Sequence, residues 1–115
     1  MKIVNRTQFL ALPPGTVYMN YNYGLFGDLS LKGDTMALDS GSAGDFHTVN
    51  LTGAVEANDS GDYHDRLMAM EQGASFPAEF DSYGRDGMFD PDQLFAVYEY
   101  NDVTLLIEAL GGVRP

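Results

Sequence analysis

The clearest pattern in the chain is the alternation of side chains from Thr16 to Tyr23. Val17, Met19, Tyr21 and Tyr23 fall on one side of an extended segment, and Tyr18, Asn20 and Asn22 on the other. That is the period of a strand. Just before it, Asn5-Arg6-Thr7-Gln8 has the form of a capping box, with Asn5 as N-cap and Gln8 reaching back from the third position. A short helix is therefore predicted to about Leu12, where Pro13-Pro14-Gly15 stops it. After a turn punctuated by Gly24 and Gly27, Leu29, Leu31 and Gly33 alternate with Ser30 and Lys32 in a second strand running toward Leu38. The Gly-rich run from Asp39 to Asp45 predicts a mobile hairpin tip. Phe46 to Leu51 follows as a third strand, in which Val49 and Leu51 favour the face they share with His47 as the inward one.

In the second half, Asn58, Asp59 or Ser60 caps a helix whose apolar stripe is Tyr63, Leu67 and Met70, with Gly73 placed to end it. Phe76 and Phe80 bracket Pro77, which suits an edge strand at most. A loop is predicted from Asp81 to Asp92. Leu94–Tyr98 is a concentrated apolar run and the expected most buried strand. Asn101 or Asp102 caps a last helix carrying Val103, Leu106, Ile107 and Leu110, ended by Gly111-Gly112. Three consecutive strands without crossovers imply an antiparallel meander. The expected architecture is one α+β domain over residues 1–115, with an antiparallel sheet of about four to five strands and about three short helices.

Composition sharpens this picture. With 44% hydrophobic residues, 7 Phe and 7 Tyr, the chain has material for a real core. The absence of Cys rules out disulfides and thiolate metal sites. No apolar run approaches the ~20 residues a spanning helix needs, so a soluble, cytoplasmic protein is expected, with no membrane contact. Charge changes the picture more. Thirteen of the seventeen carboxylates lie between Glu56 and Glu108 against only Arg66 and Arg85, leaving that acidic half with net charge −11. Direct binding to a nucleic-acid backbone is excluded by this balance, and a cationic partner is favoured.

Candidate chemistry is sparse. Counted as a calcium loop from Asp81, the segment to Asp92 places Tyr83 and Arg85 at the third and fifth positions and Asp86 where glycine belongs, so the EF-hand pattern fails. An irregular cation site from Asp86, Asp90 and Asp92 competes with a structural loop. In the structural version Arg85 pairs with an adjoining carboxylate and Phe89 points inward. Nothing in the sequence brings His47 and His64 together, no serine has a nucleophile-elbow context, and Gly41-Ser42-Ala43-Gly44 lacks the lysine of a phosphate loop. No cofactor is implied. The tyrosines, among them Tyr18, Tyr21, Tyr98 and Tyr100, suit either an interface or a half-buried sheet.

Two segments carry a resemblance. Phe9-Leu10-Ala11-Leu12-Pro13-Pro14-Gly15-Thr16-Val17-Tyr18 is similar to the opening of small uncharacterised proteins encoded by bacteriophages and prophages. So is Gly84-Arg85-Asp86-Gly87-Met88-Phe89-Asp90-Pro91-Asp92-Gln93-Leu94-Phe95-Ala96-Val97-Tyr98-Glu99, followed by a helix. The resemblance covers both ends of the chain and implies a viral context within a bacterial host, without assigning any residue a role. Charge and context together predict a non-enzymatic inhibitor of a host nucleic-acid-binding defence complex, of the anti-CRISPR type. Asp62, Asp65, Glu71, Asp81, Asp86, Asp90 and Asp92 would imitate backbone phosphates before a basic protein or ribonucleoprotein, with Tyr63 and Tyr83 as anchors. The alternatives are a self-associating phage accessory or structural protein, and a small hydrolase or metal-binding protein using the Asp81–Asp92 loop.

Overall fold

The computed structural model describes residues 1–37 and 43–111, and shows the α+β antiparallel architecture with more strands than the pattern predicts. The strands are β1 (Lys2–Val4), β2 (Val17–Asn22), β3 (Leu25–Phe26), β4 (Ser30–Ala37), β5 (Ala43–Asn50), β6 (Ser82–Arg85) and β7 (Leu94–Val97). The helices are α1 (Arg6–Leu10), α2 (Ser60–Glu71) and α3 (Tyr100–Gly111). One sheet has the order β1-β7-β2-β4-β5-β6, with β3 on β2, and every pairing is antiparallel. Most of the expected hairpin tip, 39–45, and the expected end of the last helix at Gly112 lie outside the described residues.

Local chemistry explains these elements. Asn5 accepts the Gln8 N–H at 2.8 Å while Gln8 Oε1 accepts the Asn5 N–H at 3.0 Å, the reciprocal cap expected. Two residues, Tyr23 and Gly24, join β2 to β3 with φ of 50° and 88°, the positive pair of a type I′ hairpin turn. Asp59 proves to be the cap of α2, accepting the Asp62 N–H at 2.7 Å. Gly73, at φ 102°, closes that helix: its N–H reaches the Met70 carbonyl and the Ala74 N–H reaches Ala69, a Schellman arrangement. At α3 the expected cap moves. Asp102 sits inside the first turn and accepts the Glu99 N–H at 2.8 Å, so neither Asn101 nor Asp102 is the capping residue.

The core lies where α1 crosses one face of the sheet. Phe9 stacks on Phe95 with centroids 4.0 Å apart and meets Tyr18 at 4.6 Å and Phe46 at 4.9 Å, with Val4 and Val97 closing the cluster. As predicted, β7 is the most buried strand. The inward face of β5 is the opposite of the expected one: Phe46 is buried while Val49 and Leu51 are half-buried. One aromatic ring that can join three others outweighs two aliphatic chains on the far side. Three further differences have simple causes. β1 is too short to show alternation, β3 exists only as the arm of its turn, and β6 is a polar segment recruited by the edge of β5 from within the predicted loop.

The other two helices contribute little to this core. Neither α2 nor α3 has a buried residue, and the stripe of Leu67 and Met70 remains exposed. The radius of gyration, 16.1 Å, exceeds the roughly 13 Å of a compact chain this long. Among the described residues no helix is long and apolar enough to cross a membrane.

Candidate interaction surface and polar groove

The fold spends its cations internally. Arg6 is buried; its guanidinium pairs with Asp86 at 3.1 Å, donates to the Gly44 carbonyl at 2.7 Å and lies 5.6 Å from the Phe46 ring centroid. Lys32 is 2% exposed, donating to Thr35 Oγ1 at 2.7 Å and the Gly33 carbonyl at 3.1 Å. Burial holds its ammonium pKa below the usual lysine value, against an upward pull from Asp34. Arg66 pairs with Asp62 at 3.2 Å, and Arg85 pairs with Asp45 at 3.1 Å. Lys2 is the exposed side-chain cation left without a carboxylate among the described residues.

Two of the predicted phosphate mimics are therefore structural. Asp86 is largely covered and neutralised by Arg6, 80 positions away in sequence. Asp62 accepts the Asn58 N–H at 2.9 Å as well as the Arg66 pair; that N–H, then the arginine, holds its carboxyl below the ordinary range despite some desolvation. Asp65, Glu71, Asp81, Asp90 and Asp92 are exposed and have no cation partner among the described residues. Asp90 also accepts the Asp92 N–H at 2.9 Å, which holds a turn before Gln93.

The anchors divide in the same way. Tyr63 is half-buried and donates to the Gly53 carbonyl at 3.3 Å, a structural role. Tyr83 is exposed on β6 and stacks on His47 with centroids 4.8 Å apart. The Asp81–Asp92 segment departs from expectation in two further ways. Arg85 reaches back to Asp45, whose carboxylate also accepts the Phe46 N–H at 2.9 Å and the Gly87 N–H at 3.0 Å. Burial pushes the Asp45 pKa up, but those two N–H groups and Arg85 together hold it below the ordinary value. Phe89, expected to point inward, is 48% exposed at φ 53° because the turn carries its ring away from the sheet. Among the described residues no group of three or more His, Asp or Glu is placed to hold a metal ion, and His47 and His64 stay on separate elements.

Sequence reasoning missed two surfaces. The first is α3, on which Leu105, Ile107 and Leu110 are each more than 60% exposed. The apolar pattern was visible, but whether anything covers it depends on the fold. The second is an open groove of about 590 Å³ on the core face of the sheet, lined by Asn20, Asn22, Ser30, Thr48, Asn50 and Ser82 with their neighbours. The alternation that sets Tyr18, Asn20 and Asn22 on one face of β2 is the signal that pointed to it. Compared with known proteins, the chain matches no protein-family model, no curated protein and no solved structure.

Proposed function

We propose that the protein is a non-enzymatic, phage-encoded interaction protein that docks an anionic surface onto the basic nucleic-acid-binding surface of a host defence complex, in the manner of an anti-CRISPR inhibitor. The observation that carries this reading is the internal use of Arg6, Lys32, Arg66 and Arg85, which leaves Asp65, Glu71, Asp81, Asp90 and Asp92 facing solvent with no cation partner among the described residues. A surface designed only for solubility intersperses both signs. Charge of one sign accelerates encounter with a cationic groove, and exposed apolar side chains such as those of α3 supply desolvated contact once docked. The test is inhibition of target cleavage by a panel of purified RNA-guided nucleases. Wild-type protein is expected to inhibit a susceptible enzyme more weakly as salt rises. Neutralising the five carboxylates to Asn or Gln should abolish inhibition while leaving the fold intact. Inhibition indifferent to both salt and neutralisation would remove the charge argument.

One observation favours a second reading, a phage accessory or structural protein that self-associates. Val103 to Ile107 is an uncharged segment of α3 on an otherwise anionic chain, so a second copy could meet it there with the least like-charge repulsion. Sedimentation at micromolar concentration separates the two. A dimer lost on Leu105→Glu supports self-association; a monomer at all concentrations removes it.

A further inference from the structure

The face of the sheet that carries the aromatic core also carries the polar groove. Register places Tyr18 opposite Ser30, Ser30 opposite Asn50, and Asn50 opposite Ser82, so four strands set a row of hydroxyl and carboxamide groups side by side. In the next row Lys32 is opposite Thr48, and Thr48 opposite Gly84. The Tyr18 hydroxyl and Thr48 Oγ1, 2.6 Å apart, mark where the aromatic end gives way to the polar end. We propose that this groove binds a neutral, polyhydroxylated ligand of the saccharide class.

The chemistry of the lining selects that class. Hydroxyls and carboxamides both donate and accept, which matches sugar hydroxyls that do the same. Among the described lining residues Arg85 is the only cation, and Asp45 holds its guanidinium, so a phosphate or carboxylate ligand finds no free counter-charge. Asp28, within 3.4 Å of Asn50 Nδ2, repels anions and offers acceptors to hydroxyl protons. None of those lining residues carries an aliphatic side chain, which argues against a lipid.

Gly84 gives the independent support. Glycine inside a strand weakens it and often marks a place where a ligand or another backbone comes close. Gly84 has no positive φ, and a Cβ added there would meet no atom within 4 Å. Neither a turn nor crowding requires glycine at this position. Its register opposite Thr48 directs the missing side chain toward the groove, so its absence leaves the β6 backbone open to close approach.

The test is titration of the isotope-labelled full chain with two neutral oligosaccharides, maltohexaose and chitohexaose, and with inorganic phosphate, followed by amide chemical shifts. At least one saccharide should shift Asn20, Ser30, Thr48, Asn50 and Gly84 with a Kd in the millimolar range, and phosphate should not. Gly84→Leu is expected to keep the thermal midpoint and weaken binding by about tenfold or more, a loss of ~1.4 kcal/mol. If that variant unfolds, Asn20→Ala supplies the same comparison without altering a glycine. Absence of groove shifts with both saccharides, equal shifts with phosphate, or unchanged binding in the folded variant would each overturn the proposal.

Discussion

Helix α1 has five residues and buries Arg6 and Phe9; helix α3 has twelve, including Val103, Leu105, Leu106, Ile107 and Leu110, and buries none. α1 is held by a two-way cap and by aromatic rings from three strands, so its length hardly matters. α3 carries good helix formers in Leu105, Leu106, Glu108, Ala109 and Leu110 and has its first turn fixed by Asp102, yet Val103 and Leu106 are only half-buried and none of its residues is buried. Where a helix lies, rather than how strongly its sequence favours helix, decides what it contributes to stability. The short helix holds the fold together, and the long one is left available for contact.

Substitutions can break or sharpen that contrast. The largest effect is expected at Phe9→Ala, which empties the centre of the aromatic cluster and should cost about 3–5 kcal/mol in denaturant unfolding. A cost under ~1 kcal/mol there would mean that the cluster repacks and that α1 is dispensable. Next comes Asp45→Asn, expected to cost about 1–3 kcal/mol because a buried carboxylate with several donors loses charge-assisted bonds. This loss has a pH signature. The folded pKa of Asp45 is depressed, so its contribution is fully present above the ordinary carboxylate range and disappears as pH falls through that range to the lower folded value. Acid unfolding of the wild type should therefore show a limb that is shallower in Asp45→Asn. The smallest effects are expected at Ile107→Ala and Phe89→Ala, each within about 1 kcal/mol of wild type because Ile107 is 65% and Phe89 48% exposed and neither belongs to the core cluster. A loss at Ile107 comparable to that at Phe9 would show that α3 is packed in solution, with self-association as the first thing to measure.

The elements legible in the sequence were those encoded locally. The Asn5–Gln8 box, the alternation of β2, the Gly73 stop and the apolar run of β7 each lie within a few residues and carry their own physics. What escaped was set by distance along the chain. Arg6 and Asp86 are 80 residues apart, and Arg85 and Asp45 are 40 apart, so the expected local pairing of Arg85 had no competitor until the strands were placed. The strand role of Ser82–Arg85 was hidden for the same reason: its polar residues and Gly84 show no alternation, and the edge of β5 supplies the pairing. Of the predicted acidic site, Asp65, Glu71, Asp81, Asp90 and Asp92 keep the exposure required, whereas Asp62 and Asp86 turned out to serve the fold.

The internal use of cations also governs how proteases see the molecule. Trypsin cuts after lysine and arginine in extended, accessible backbone. Here Arg6 and Lys32 are buried, Arg66 sits in a helix, and Arg85 lies in a paired strand. A folded chain should thus present few competent sites between its ends, and cleavage at Lys32 requires β4 to leave the sheet. The rate at which fragments ending at Lys32 accumulate then measures how often the central strands open.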